Sequence, residues 1–280
     1  MKIILITLIV IGLLALVLAV ILYVVAQKFK VEENPLVDKI TKILPGANCG
    51  GCGFPGCGGF ANACVKKNSL EGIFCPVGGN EVMKKISEVM GVVVEEQEPK
   101  IAVLRCNGSL AIRPKITNYD GTQTCTIANA TYGGETGCIY GCLGFGDCVS
   151  VCPDNAITID KESGLPIFSE KCIACAACVK SCPRGLIELR DKGKINRRVY
   201  VACRNTDKGG DAKKACGAAC IGCGKCQKIC PFEAISVSNN LAYIDFTKCK
   251  LCRKCVSECP TSAILEVNFP PKKVLEENKI

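Results

Sequence analysis

Three textures of apolar and polar positions follow one another along the chain. The first is unbroken: Ile3 to Ala26 carries no charged residue and is rich in Ile, Leu and Val. Such a run exceeds the ~20 apolar residues that cross a bilayer's hydrocarbon and predicts a transmembrane helix. A secretory signal is the alternative, with Met1-Lys2 as its basic start and Val24-Val25-Ala26 as a weak cleavage site, but the apolar stretch is too long for one. Lys28 and Lys30 follow the run and only Lys2 precedes it, which puts the bulk of the chain on the cytoplasmic side of a cell (inner) membrane, single-pass. With no ionisable residue in its middle, the run offers no ion pathway by itself.

The second texture is helical. Asn34-Pro35 reads as a cap and first turn, and Leu36, Val37, Ile40, Ile43 and Leu44 then form a stripe that Pro45-Gly46 stops. Gly59 to Lys67 and Asn80 to Met90 predict two more short helices, the second ended by Gly91. Glu95-Glu96-Gln97-Glu98-Pro99 reads as a solvated linker.

The third texture consists of short β-like runs set between cysteine loops. Ile101 to Leu104 resembles Val199 to Ala202, and Ala156 to Ile159, Leu186 to Leu189, Ala234 to Val237 and Ala263 to Glu266 repeat one another. Pro166-Ile167-Phe168 and Leu241 to Asp245 precede cysteine runs in the same way. A period of about one hundred residues means a duplicated module.

Cysteine changes this picture most. The 280 residues include 25 cysteines and no histidine. Rieske centres, His-ligated haem and His-type zinc sites are thereby excluded. A disulfide scaffold belongs to short secreted chains; here the cysteines fall at metal-ligand spacings. Cys220-x2-Cys223-x2-Cys226-x3-Cys230-Pro231 and Cys249-x2-Cys252-x2-Cys255-x3-Cys259-Pro260 carry the spacing of bacterial two-cluster proteins. Three close cysteines wrap one cubane and the fourth, before proline, ligates its neighbour. Cys220, Cys223, Cys226 and Cys259 are expected on one [4Fe–4S] cluster, and Cys249, Cys252, Cys255 and Cys230 on another. Cys172, Cys175, Cys178 and Cys152 form a third set. The preceding run, Cys138-x3-Cys142-x5-Cys148, departs from the spacing; Cys138, Cys142, Cys148 and Cys182 are expected on a fourth cluster. Cys49, Cys52, Cys57 and Cys75 form a fifth set. Cys64 reads as a buried small residue. Cys106, Cys125, Cys203 and Cys216 remain: they either converge on a sixth cluster or are buried thiols.

The predicted fold class is α+β. Residues 1–30 form the transmembrane anchor, 31–94 a small helical [4Fe–4S] domain, 95–197 and 198–270 two tandem bacterial-type 2[4Fe–4S] ferredoxin modules, and 271–280 a tail.

Charge and the remaining motifs narrow the function. The formal charge is +9, but four thiolates on an oxidised cubane leave roughly −2 per site, so five clusters bring the loaded chain to about −1. No nucleic-acid partner is implied, and the absence of tryptophan gives no support to base stacking. Gly51-x-Gly53-x-x-Gly56 matches a dinucleotide fingerprint by letter only: no strand precedes it and Pro55 lies inside it. Every cluster drawn has four cysteines, so no open iron is left for a substrate, and no side chain need act as acid, base or nucleophile. A redox sensor needs one labile cluster and not five. Lys225, Lys228, Lys248, Lys250, Arg253 and Lys254 surround the C-terminal pair, either as a docking face for an acidic protein or as a rim offsetting cluster charge.

The anchor, Asn48-Cys49-Gly-Gly-Cys52-Gly-Phe-Pro-Gly-Cys57 with its distant Cys75, and the modules that follow resemble the B subunits of Rnf membrane complexes. The resemblance covers nearly the whole chain, with the duplication from Arg198 onward matching longer family members. It implies a ferredoxin:NAD+ oxidoreductase coupled to Na+ or H+ export, in which this chain takes electrons from soluble ferredoxin. NAD and flavins are then expected on other subunits of the complex. A polyferredoxin-type component of another membrane oxidoreductase is the alternative.

Overall fold

A computed structural model of the chain describes residues 2–28 and 34–270. Lys30, on which the orientation argument partly rests, and the expected tail 271–280 lie outside the described residues.

Helix α1 (Lys2–Lys28) is a single rod of 27 residues. Its side chains from Ile9 to Val25 are exposed. Among the described residues no helix is long and apolar enough to cross a membrane. The transmembrane span expected over Ile3 to Ala26 is thus not shown among the described residues.

Three helices, α2 (Pro35–Ile43), α3 (Gly56–Lys67) and α4 (Gly79–Met90), build the next unit. The Asn34 side chain accepts the Leu36 N–H at 3.0 Å and starts α2. Helix α3 begins three residues earlier than its apolar pattern predicts, at Gly56, so that Cys57 lies in its first turn. Gly91, in the left-handed region, ends α4. Ile40, Phe60, Ala61, Cys64, Met83 and Ile86 are fully buried between the three. The segment expected as a free linker is tied down: Asn80 and Gln97 exchange two hydrogen bonds, at 2.8 and 3.0 Å.

The rest of the chain is one plan used twice. The first copy runs β1 (Lys100–Leu104), α5 (Cys125–Thr131), α6 (Asp147–Ser150), β2 (Ile157–Ile159), β3 (Pro166–Phe168), α7 (Ala177–Ser181) and β4 (Ile187–Asp191). The second runs β5 (Arg198–Val201), α8 (Gly209–Ala215), α9 (Lys225–Ile229), β6 (Ile235–Ser238), β7 (Leu241–Ile244), α10 (Lys254–Glu258) and β8 (Ile264–Val267). In each copy the outer strands pair antiparallel, β1 with β4 and β5 with β8, and an inner hairpin forms from β2–β3 or β6–β7. The equivalence extends to single bonds. Arg105 N–H donates to Leu186 O, and Ala202 N–H to Ala263 O, both at 2.7 Å. Two-stranded sheets bury little, and cysteines make up much of each core. Such units need metal to hold together.

The copies meet along β1 and β5, where Val103, Tyr200 and Ala202 pack together. Arg105 crosses the junction to the carbonyls of Val201 and Cys203, at 3.4 and 3.3 Å. Arg190, 2% exposed, reaches the Ile244 carbonyl. Glu188 pairs with both arginines, at 3.5 and 2.5 Å, which supplies the partner that a buried charge requires.

Candidate metal centres

The regular cysteine loops share one backbone device. The second and fourth residues after the first cysteine are left-handed: Ala174 and Ala176, Gly222 and Gly224, Leu251 and Arg253. Each loop then enters a short helix, α7, α9 or α10, that carries the third cysteine. Left-handed backbone at alanine, leucine and arginine is strained and is held only where the surroundings determine it; here it curls three thiols to one side. Beyond the Cys-Pro corners, the N–H groups of Ala156, Leu186 and Ala263 donate to the sulfurs of Cys152, Cys182 and Cys259 at 3.3 to 3.4 Å. N–H···S bonds of this kind stabilise a thiolate and tune a cluster's potential.

The irregular loop follows the same path. Gly144 and Gly146 are left-handed at the second and fourth positions after Cys142, and α6 begins directly afterwards. Phe145 therefore stands where Cys175, Cys223 and Cys252 stand in the other loops. A different cysteine lies beside the loop. Cys125, first residue of α5, lines one cavity with Cys142, Cys148 and Cys182. Asp147, inside the loop, holds it there. Its carboxylate accepts the N–H groups of Cys125 and Thr126 at 2.7 and 3.0 Å, and the Thr126 hydroxyl at 2.9 Å.

Cys138, expected with Cys142, Cys148 and Cys182, does not line this cavity. Cys138 lines a second cavity, together with Cys106, Cys203 and Cys216. Cys125, expected beside Cys106, Cys203 and Cys216 either in a sixth cluster or as a buried thiol, lines the first cavity and not the second. The signal is in the spacing: Cys138-x3-Cys142 and Cys216-x3-Cys220 match, so Cys138, and not Cys125, is the counterpart of Cys216.

Each remaining set lies together. Cys220, Cys223, Cys226 and Cys259 line one cavity, and Cys49, Cys52, Cys57 and Cys75 another. Burial, then the neighbouring sulfurs of Cys172, Cys175, Cys148 and Cys152, pushes the Cys178 thiol up to about 12. Burial and then Cys249, Cys252, Cys226 and Cys230 do the same to Cys255, also to about 12. Thiols that bind a metal do so as thiolates, so loading of cations releases their protons. Cys64 lies in the core of the helical unit and outside the cavity beside it; burial pushes its thiol up to about 11. All 25 cysteines are free thiols. Among the described residues no group of three or more His, Cys, Asp or Glu is set to hold one metal ion. Ligands of a single zinc converge on one centre about 2.3 Å from each sulfur, whereas a cubane takes each thiolate on a different iron.

The helical unit meets the first module through its cysteine loop. Lys180 Nζ donates to the Gly50 carbonyl at 3.4 Å. A Cβ on Gly51 would stand 2.6 Å from the Cys175 carbonyl oxygen, so glycine is what allows the two loops to touch.

Of the cationic ring expected around the C-terminal pair, Lys225, Lys228, Lys248, Lys250 and Lys254 are exposed. Arg253 departs from it: its guanidinium is bound on two sides to the Glu266 carboxylate and lies over the Phe269 ring.

Comparison with known proteins agrees with this chemistry. A family model described as "4Fe-4S dicluster domain" matches residues 171–234, and a second model of the same description matches 137–187 and 219–264. The first joins motifs that the strand pairing assigns to different copies. A model described as "Putative Fe-S cluster" matches 44–76. The B subunit of the ion-translocating oxidoreductase complex of Methanosarcina acetivorans is 39% identical over 88% of this chain and 91% of its own length. The B subunit of the Na(+)-translocating ferredoxin:NAD(+) oxidoreductase complex of Acetobacterium woodii is 40% identical over 91% of this chain and 75% of its own. The proton-translocating counterpart of Clostridium ljungdahlii is 39% identical over 92% and 90%. With identity at this level along nearly its whole length, the chain belongs to the family of B subunits of ion-translocating oxidoreductase complexes, as an iron–sulfur electron-transfer subunit.

Proposed function

We propose that the chain is the membrane-anchored conductor of a ferredoxin:NAD+ oxidoreductase complex. It takes electrons from a soluble ferredoxin at its C-terminal module and delivers them beside α1 to partner subunits that reduce NAD+ and export Na+ or H+. Five cysteine sets would hold [4Fe–4S] clusters: Cys49, Cys52, Cys57 and Cys75; Cys152, Cys172, Cys175 and Cys178; Cys125, Cys142, Cys148 and Cys182; Cys220, Cys223, Cys226 and Cys259; and Cys230, Cys249, Cys252 and Cys255. When bound, these clusters supply one-electron transfer and need no acid or base from the chain. Three packed cores among the described residues support a helical domain and two modules, and a fourth lies where the modules meet.

The observation that carries this reading is the succession of the sets. The Cys49 loop lies on the Cys175 loop. Cys148 lies near Cys178, and Cys226 near Cys255. At the far end Cys223 and Cys252 are exposed among the five lysines, as a docking site for an acidic donor requires. At the near end the helical unit follows α1, whose long exposed apolar surface suits lipid. Lys28 and Lys30, which follow the apolar run, favour the cytoplasmic side.

The test uses the complete complex in vesicles with reduced ferredoxin as donor. Replacing Lys225, Lys228, Lys248, Lys250 and Lys254 by glutamine should slow electron uptake at low salt by roughly tenfold and flatten its salt dependence. An unchanged salt dependence overturns the docking assignment. Deleting residues 1–27 should release the chain from vesicles washed at high salt; full retention overturns the anchor.

A further inference from the structure

We propose that Cys106, Cys138, Cys203 and Cys216 hold a sixth [4Fe–4S] cluster across the junction of the two modules. The proposal rests on the iron–sulfur reading of the chain and adds the link that joins its halves.

The four thiols line one cavity, two from each module. They are related by the internal repeat. Cys106 and Cys203 lie two residues beyond the ends of β1 and β5. Cys138 and Cys216 precede the first cluster loops, at Cys142 and Cys220, by the same spacing. The Cys142 N–H donates to Cys106 Sγ at 3.4 Å. Its counterpart, the Cys220 N–H, faces Cys203 in the same way. A set of four built from two symmetric halves is what duplication of a half-site produces.

The walls fit a dianionic guest. Arg113, 5% exposed, lines the cavity. Among the described residues no carboxylate pairs with it, and its Nε has no hydrogen-bond partner. A buried cation without an anion is costly, and four thiolates on an oxidised cubane carry a charge of roughly −2. Asn205, 1% exposed, directs its side-chain amide at Cys138 Sγ, 3.8 Å away, and its backbone N–H at Cys203 Sγ, 3.4 Å away. Small residues keep the space open: a Cβ on Gly108 would stand 2.7 Å from Arg113 and 3.1 Å from Cys216 Sγ.

The site also closes a gap. Cys106 touches the loop of Cys142 and Cys216 leads into the loop of Cys220. An electron leaving the cluster at Cys220 would therefore have a one-electron carrier between it and the cluster at Cys142, with no proton or bond exchanged.

The test is iron and acid-labile sulfide on the anaerobically reconstituted full chain, with EPR of the reduced form. About 24 irons are expected, and about 20 would overturn the sixth cluster while leaving the five in place, at four irons per cubane. Zinc in place of iron throughout would overturn the iron–sulfur reading itself; one zinc per chain with about 20 irons would overturn the sixth cluster alone. Cys138→Ser and Cys216→Ser, on opposite modules, should each remove about four irons and the same EPR component, and the double variant should remove no more than either alone. Loss of separate components by the two variants overturns the shared site. The wild-type count stands whether or not a variant folds.

Discussion

The two modules are the same machine with one part exchanged. The second carries the regular text, in which Cys223 sits in the middle of its loop. The first has Phe145 at that place, packed against the Tyr119 ring at 5.6 Å. The loop backbone is the same: Gly144 and Gly146 keep the left-handed turns that Gly222 and Gly224 supply in the second module. What differs is the fourth thiol lining the cavity, which is Cys125, on a helix that the Asp147 carboxylate holds in place. Loop path and ligand identity are thus separable: the backbone sets where a sulfur is needed, and any segment that reaches the spot can provide it.

The sharpest way to break that comparison is a ligand exchange. Cys125→Ser should cost the first module one cluster, about four irons by assay. Adding Phe145→Cys should restore those irons by giving the loop its regular middle cysteine. Failure of the second change to restore iron would mean that the two loops are not equivalent.

Next in size is the core around which each hairpin forms. Ile244 is fully buried in the second module, opposite Ile235 across the β6–β7 hairpin. Ile244→Ala should destabilise that module by about 2–5 kcal/mol. The corresponding residue of the first module is the half-buried Phe168, opposite Ile157, whose truncation should cost less. Chelator-driven bleaching, followed module by module through EPR, ranks the two.

A smaller effect belongs to contact between units. Gly51→Val forces a side chain against the Cys175 carbonyl and should cost about 1–3 kcal/mol by overpacking. Iron content should stay unchanged while protease cuts between the helical unit and the first module. A chain as resistant as wild type would show that the contact at Gly51 is not what holds the units together.

The mildest variant is Asp147→Ala. Losing hydrogen bonds to a charged group should loosen Cys125 by about 1–2 kcal/mol, seen as faster loss of one EPR component. The second module, which has no need of such a tether, should bleach at its wild-type rate.

Much of the fold is legible in the residues. The Asn34-Pro35 helix start, the three regular cysteine loops with their Cys-Pro corners and the β-like runs after them all depend on neighbours in sequence, and local spacing reports local geometry. The irregular loop is where spacing misleads, because it counts letters and does not see backbone. Cys138 is nearer to Cys142 in sequence than Cys125 is, so adjacency favours a thiol that the structure places in another cavity. The pair of glycines at 144 and 146, set against the alanines and glycines of the regular loops, holds the information that places Phe145.

Composition and short-range pattern are enough to settle the chemistry: iron–sulfur ligation, the duplication and the apolar first helix all follow from them. Which thiols meet is a matter of packing. Cys106 and Cys203 lie almost one hundred residues apart, and hydrogen bonds across the junction, such as Asn107 N–H to the Ala202 carbonyl at 2.9 Å, bring their strands together. No local rule encodes that distance, because it is set by how two modules pack and not by the order of residues within either.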